Sequence, residues 1–277
     1  MMTKSLMATL AGVCVLLALS GAAQAVLLGR YSFEAGPDAS WYFENTASSP
    51  GTMDALSKYV NGANSVVTGQ GPVLTTNSAT DHYVTLDGND FIIAPDAFLD
   101  GASAWTLSVW FNATTNGMKM LGSTDAAHGN DGFALELATD SGKVGRVRYA
   151  QRTGASWSSA IFSDSAMNDG QWHHVIITYN GTNYWMYVDG VKQAGSAADT
   201  AGTTNTLTDG KVLIGSYGVN ATADKWIGGL DEIRIYNNAF TDADALALYN
   251  ATRIIPEPTT MALLGVGAIG LMLRRRR

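Results

Sequence analysis

Residues 170–190 read Gly170-Gln171-Trp172-His173-His174-Val175-Ile176-Ile177-Thr178-Tyr179-Asn180-Gly181-Thr182-Asn183-Tyr184-Trp185-Met186-Tyr187-Val188-Asp189-Gly190. Val175, Ile177 and Tyr179 recur at period 2, so they share one face of an extended strand. Asn180-Gly181 is a hairpin signal, although two further residues sit in that loop, and Tyr184–Val188 is the return strand. Asp189-Gly190 marks the next turn, because Gly adopts positive φ without steric cost. Working outward, Val26–Phe33, His82–Leu86, Trp105–Phe111, Met118–Leu121, Phe133–Leu137, Val144–Ala150, Val212–Ile214 and Trp226–Tyr236 are further short runs rich in β-branched and aromatic residues. No long helical pattern separates them, which predicts two packed antiparallel sheets. One helix is expected near the end, with Thr241 as its cap, Asp244 three residues on, and Ala245, Leu248 and Tyr249 at helical spacing. Gly36–Thr80 is rich in Gly, Ser, Asn and Thr and yields no clear element.

The chain has 277 residues, 46% hydrophobic and 15% charged, a globular composition. Its net charge is −7. Setting aside Lys4, Arg274–Arg277 and Glu257 leaves the core near −11, which argues against nucleic acid as a partner, since phosphate binding needs a basic face. Met1–Ala25 carries one early charge (Lys4), an apolar run over Leu6–Leu19 and an Ala23-Gln24-Ala25 close, the parts of a secretory signal peptide cleaved after Ala25. The single cysteine, Cys14, lies inside that run, so a mature chain would hold no disulfide and no thiolate metal site. The expected division is a signal peptide over 1–25, one β domain over 26–254 and a C-terminal segment over 255–277.

That segment runs Pro256-Glu257-Pro258, then an apolar stretch Met261–Leu273, then Arg274–Arg277. The stretch is shorter than the roughly 20 residues an untilted helix needs to cross a hydrocarbon core, and the arginines would stay on the cytoplasmic side. The tail resembles the PEP-CTERM sorting signal of Gram-negative bacteria. The resemblance implies processing by an exosortase-type membrane protease, transient membrane insertion through residues 259–273, and release to or display on the cell envelope or an extracellular matrix.

Three blocks carry a second resemblance: Trp105-Thr106-Leu107-Ser108-Val109-Trp110-Phe111, the hairpin quoted first, and Gly228-Gly229-Leu230-Asp231-Glu232-Ile233-Arg234-Ile235-Tyr236 with the helix that follows. In that order they resemble the LamG-like domain of the concanavalin A-like lectin/glucanase superfamily. This implies a jelly-roll sandwich between an N-terminal signal helix and a C-terminal hydrophobic helix. The family serves in carbohydrate binding, adhesion and matrix proteins, and fold alone does not choose among these.

Within the blocks, Trp172 is expected to pack a sheet edge into the core. His173 and His174 point to opposite faces of one strand, one buried and the other exposed. Asp231 and Glu232 likewise point one carboxylate each way, so one should face inward, where Arg234 or a bound cation could satisfy it. The family resemblance implies a structural Ca2+ near the first and last strands, with Glu34 and Asp231 as the carboxylates and main-chain carbonyls completing the shell. Hydrogen bonding of either carboxylate to backbone or Arg234 is the competing expectation.

Related glucanases carry two glutamates on one strand face. Here Glu34, Glu44, Glu136 and Glu232 are far apart in sequence, and no G-x-S-x-G elbow is present, so no catalysis is expected. Sugar binding asks for aromatic platforms in loops beside short polar groups. Trp157, Tyr217 and Trp41 are the expected ligand contacts, with Trp105, Trp110, Trp172 and Trp185 lying in strand blocks and expected in the core. The sequence points to an exported envelope protein that binds polysaccharide or another glycoconjugate. The alternative is a structural matrix or adhesion protein without a discrete sugar site.

Overall fold

The computed structural model describes residues 25–34, 42–44, 46–47, 55–59, 72–78, 81–95, 102–124, 131–153, 156–198, 211–217 and 225–253. The expected signal helix and C-terminal apolar helix, with Trp41 and Pro256–Pro258, lie outside the described residues. Ala25 is described and exposed. Among the described residues no helix is long and apolar enough to cross a membrane.

Among the described residues, sixteen strands precede one helix. They are β1 (Leu27–Tyr31), β2 (Tyr42–Phe43), β3 (Ala55–Tyr59), β4 (Val73–Ser78), β5 (Asp81–Asp87), β6 (Asp90–Pro95), β7 (Trp105–Asn112) and β8 (Lys119–Thr124). There follow β9 (Asp131–Leu137), β10 (Arg146–Thr153), β11 (Ser156–Ala166), β12 (Trp172–Tyr179), β13 (Asn183–Val188), β14 (Val191–Ala198), β15 (Lys211–Ile214), β16 (Ile227–Tyr236) and α1 (Asp242–Thr252). The first sheet runs β14-β13-β12-β7-β16-β5-β4, with β1 also on β16; the second runs β11-β10-β9-β8-β15-β6-β3-β2. Every strand pairing is antiparallel. The expected two-sheet sandwich is therefore present.

Alternation decides which residues meet between the sheets. Val175, Ile177 and Tyr179 of β12 join Leu107, Val109 and Phe111 of β7 and Leu135 and Tyr149 of the second sheet in one buried cluster. Trp105 sits inside it, 1% exposed, within 6.0 Å of the rings of Tyr149, Tyr179 and Tyr184. The opposite face of the first sheet is covered by α1. Ile176, Tyr187, Tyr236, Phe240, Ala245 and Leu248 form a second buried cluster there. The capping box is made as expected: Thr241 Oγ1 accepts from the Asp244 N–H at 3.3 Å, and the Asp244 carboxylate accepts from the Thr241 N–H at 2.9 Å.

Several expectations change. Asp231 and Glu232 do not point one each way. Leu230 and Ile233 both join the core, and the register against β7 slips between Asp231 and Arg234. This is a β-bulge, with Glu232 at φ 47°, and it turns both carboxylates off the core face. Glu232 then lies between Arg30, whose Nη2 donates at 2.6 Å, and Arg234, whose Nε donates at 2.9 Å. Trp172 does not enter the core but lies across the outer face of the first sheet. Its ring meets Tyr83 edge-on at 4.9 Å and covers Gly229, where a Cβ would come within 2.7 Å of it.

His174 is the buried histidine, 1% exposed, at 2.7 Å from Ser108 Oγ and stacked on Trp110. Burial pushes its pKa down to about 3. His173 is half-buried rather than exposed, held between Asp189 at 2.9 Å and Asp169 at 3.1 Å. Their carboxylates raise its pKa against the opposing effect of burial.

Candidate functional site: an aromatic and ionic face on the second sheet

On β10, Val147 and Tyr149 point into the core, so Arg146, Arg148 and Ala150 point out. Register carries this outer face across the sheet. Arg148 lies opposite Glu136 of β9 and Phe162 of β11, and Glu136 lies opposite Lys119 of β8. Glu136 is nearly buried and forms ion pairs with both Lys119 and Arg148. Opposite charges facing across antiparallel strands stabilise the pairing. The neighbouring row is small: Gly122 on β8 faces Ala134 on β9, which faces Ala150 on β10.

Two of the three expected ligand contacts meet on this face. Trp157 does not lie in a loop; it is on β11, opposite Arg152, near the end of the β10–β11 hairpin. It is 39% exposed, and it is the one aromatic among the exposed large hydrophobics of the described residues. Tyr217 follows β15 outside any strand, as expected. Its ring centroid is 5.6 Å from that of Trp157, at 42° between planes. The main chain at Tyr217 can lie this close to β8 because residue 122 is glycine. A Cβ there would come within 2.8 Å of both Ser216 O and Tyr217 Cα. The Arg148 guanidinium is 5.9 Å from the Trp157 ring and 6.0 Å from the Phe162 ring, and Lys143 Nζ is 3.7 Å from the Phe162 centroid.

The face thus offers stacking surfaces beside fixed charges, the elements of a polar-ligand site. Lys119, Glu136, Arg148 and Phe162 were not expected as site residues. The alternation Arg146-Val147-Arg148-Tyr149 carried the signal that both arginines share a face opposite the core.

The two carboxylates expected to hold Ca2+ have distinct surroundings. Asp231 is 1% exposed; it accepts the Glu232 N–H at 2.7 Å, and burial together with Glu232, Asp81 and Glu34 pushes its pKa up to about 9. Glu34 lies 3.5 Å from His82. Among the described residues, no three His, Cys, Asp or Glu side chains are placed to hold a metal ion. A cation here would have to draw on main-chain carbonyls.

Two antiparallel sheets packed face to face, one backed by a C-terminal helix and the other bearing an aromatic and ionic outer face, define a jelly-roll sandwich. Residues 79–245 match the family described as the concanavalin A-like lectin/glucanases superfamily, and the chain belongs to it. Residues 255–277 match the PEP-CTERM protein-sorting motif, which implies export and exosortase processing.

Domain 4 of AbnA, a GH43 extracellular arabinanase from Geobacillus stearothermophilus, solved in complex with arabinotriose, is similar with a TM-score of 0.62 at 18% identity. The match covers 81% of this chain and 98% of that one. The binding domain of Paraclostridial Mosquitocidal Protein 1 gives 0.55 at 14% identity, covering 82% and 52%. The receptor binding domain of botulinum neurotoxin D gives 0.57 at 13%, covering 82% and 53%. The chain spans about half the length of these last two, and at such identities the likeness shows the fold alone. No protein with a curated description matches the chain in sequence.

Proposed function

We propose that this exported protein binds carbohydrate non-covalently at the cell surface or in an extracellular matrix, and does not cut it. The observation that carries the reading is the Trp157–Tyr217 pair, 5.6 Å apart beside Arg148 on the outer face of the second sheet. Two residues some sixty positions apart in sequence form one platform, which suits stacking against sugar rings. The arabinotriose complex of a similar fold supports sugar as the ligand class. Glu136, the buried carboxylate of this face, is engaged by Lys119 and Arg148, which favours binding over acid–base chemistry. Trp41 stays in the proposal as a further contact. Ca2+ at Glu34 and Asp231 is also proposed, because a divalent cation would offset the negative charge gathered around the buried Asp231. The test is a glycan array probed with the purified chain, with Ca2+ and then with chelator. Binding to a defined glycan class supports the reading. No binding by folded protein in either condition overturns it in favour of a structural matrix role.

A further inference from the structure

We propose that the glycan held on this face is anionic, a carboxylate-bearing chain of the uronate type. The inference rests on the carbohydrate-binding reading and adds its charge class. Neutral sugars need an aromatic surface and short polar groups. The groups placed beside this aromatic surface are instead cations. Lys143, Phe162, Arg148, Trp157 and Tyr217 follow one another along the face, each within 6.0 Å of the next by ring or charge centre. Aromatic rings and cations therefore alternate, the pattern that a chain of stacked rings with regularly spaced carboxylates would match. Lys119 and Arg146 share the outer face with them; Arg146 Nη1 donates to Ser163 O at 3.2 Å.

Among the described side chains that meet at these ion pairs and rings, Lys119, Lys143, Arg146 and Arg148 carry four positive charges against two negative ones, Glu136 and Asp140, the latter 3.9 Å from Arg148 Nε. The local balance of +2 stands on a chain whose net charge is −7. A positive strip on an acidic molecule concentrates attraction for anions there and repels them elsewhere. Lys143 is exposed, and among the described residues its ammonium rests on the Phe162 ring rather than on a carboxylate. Single strands of nucleic acid also take rings and cations. The acidic balance of the rest of the chain and its sorting motif favour a glycan.

The test compares binding of the full chain to polygalacturonate, to the same polymer with its carboxyls reduced to alcohols, and to an oligo-dT competitor. Affinity for the acidic polymer should exceed that for the reduced one by about tenfold and fall as salt is raised. Lys143→Ala should weaken acidic binding about two- to fivefold, the worth of one exposed charge pair, and so narrow the ratio between the acidic and the reduced polymer. Trp157→Ala should weaken both. Equal binding of the two polymers, both lost in Trp157→Ala, overturns the anionic assignment and leaves carbohydrate binding standing. Displacement by oligo-dT at lower concentration than by polygalacturonate also overturns it. Failure of folded protein to bind either polymer or any arrayed glycan overturns both readings.

Discussion

Adding one methyl at Gly122 should cost both stability and ligand affinity. The Cβ of an alanine there would lie 2.8 Å from Ser216 O and 2.8 Å from Tyr217 Cα, both main-chain atoms that no rotamer change can move. Comfortable carbon contacts begin at about 3.5 Å, so the Ser216–Tyr217 segment must lift by roughly 0.7 Å or β8 must yield. Overpacking of this kind costs about 1–3 kcal/mol. Losing glycine's freedom in the unfolded chain returns about 0.4–1 kcal/mol. The net expectation is a loss of up to about 2.6 kcal/mol, centred near about 1.3 kcal/mol, with Tyr217 displaced from Trp157. Gly195 on β14 is the control, because a Cβ there meets nothing nearer than the Phe162 carbonyl at 3.6 Å. Urea unfolding gives the stability of both variants, and titration with the best-binding glycan gives their affinities. The reasoning is refuted if Gly122→Ala matches the parent in both measurements, or if Gly195→Ala is the more damaging.

Other outcomes follow from the same geometry. Asp231 holds its proton to about pH 9 in the folded chain against an ordinary carboxyl value of 3.8. Its contribution to stability is complete below about pH 4 and is lost as pH rises toward 9. Asp231→Asn should therefore flatten the decline in Tm between pH 4.5 and pH 8.5, and if Ca2+ binds there, the variant should also lose any Ca2+-induced rise in Tm. His174 behaves in the opposite sense. Folding depresses its pKa from 6.5 to about 3, with Asp189 opposing and Arg234 adding to the effect of burial, so stability drops as pH falls below about 6.5. His174→Gln should reduce the slope of urea midpoints between pH 6.5 and pH 4. Thr241→Ala removes the cap of α1 and should cost about 0.5–2 kcal/mol in thermal or urea unfolding.

Several strands with large, branched inward residues were legible in the sequence, but β6, with buried Phe91 and Ile92, was missed. In β12 the period-2 pattern alone set Val175, Ile177 and Tyr179 on one face, and that face is buried. Strands built from small and polar residues were not legible. Val-Leu-Thr-Thr-Asn-Ser of β4, Ser-Trp-Ser-Ser-Ala-Ile of β11 and Val-Lys-Gln-Ala-Gly-Ser of β14 lack that contrast and form because a neighbouring strand supplies the hydrogen bonds. Misreading β11 placed Trp157 in a loop, yet its exposure was anticipated correctly. The bulge at Asp231-Glu232 could not be read, since a register slip depends on the partner strand rather than on local residue types. The Trp157–Tyr217 contact was also hidden: each was expected to touch ligand, but nothing local to either brings two such distant positions together. The sorting tail was legible because it is linear, and its parts occur in order in the sequence itself.

The most direct test of the account is glycan binding by the purified chain and by Trp157→Ala and Tyr217→Ala, measured on one array with and without chelator. The account predicts binding to a defined glycan class that falls at least about tenfold in each variant, while both keep the Tm of the parent. Binding that survives both substitutions, or no binding by folded parent protein, would contradict it.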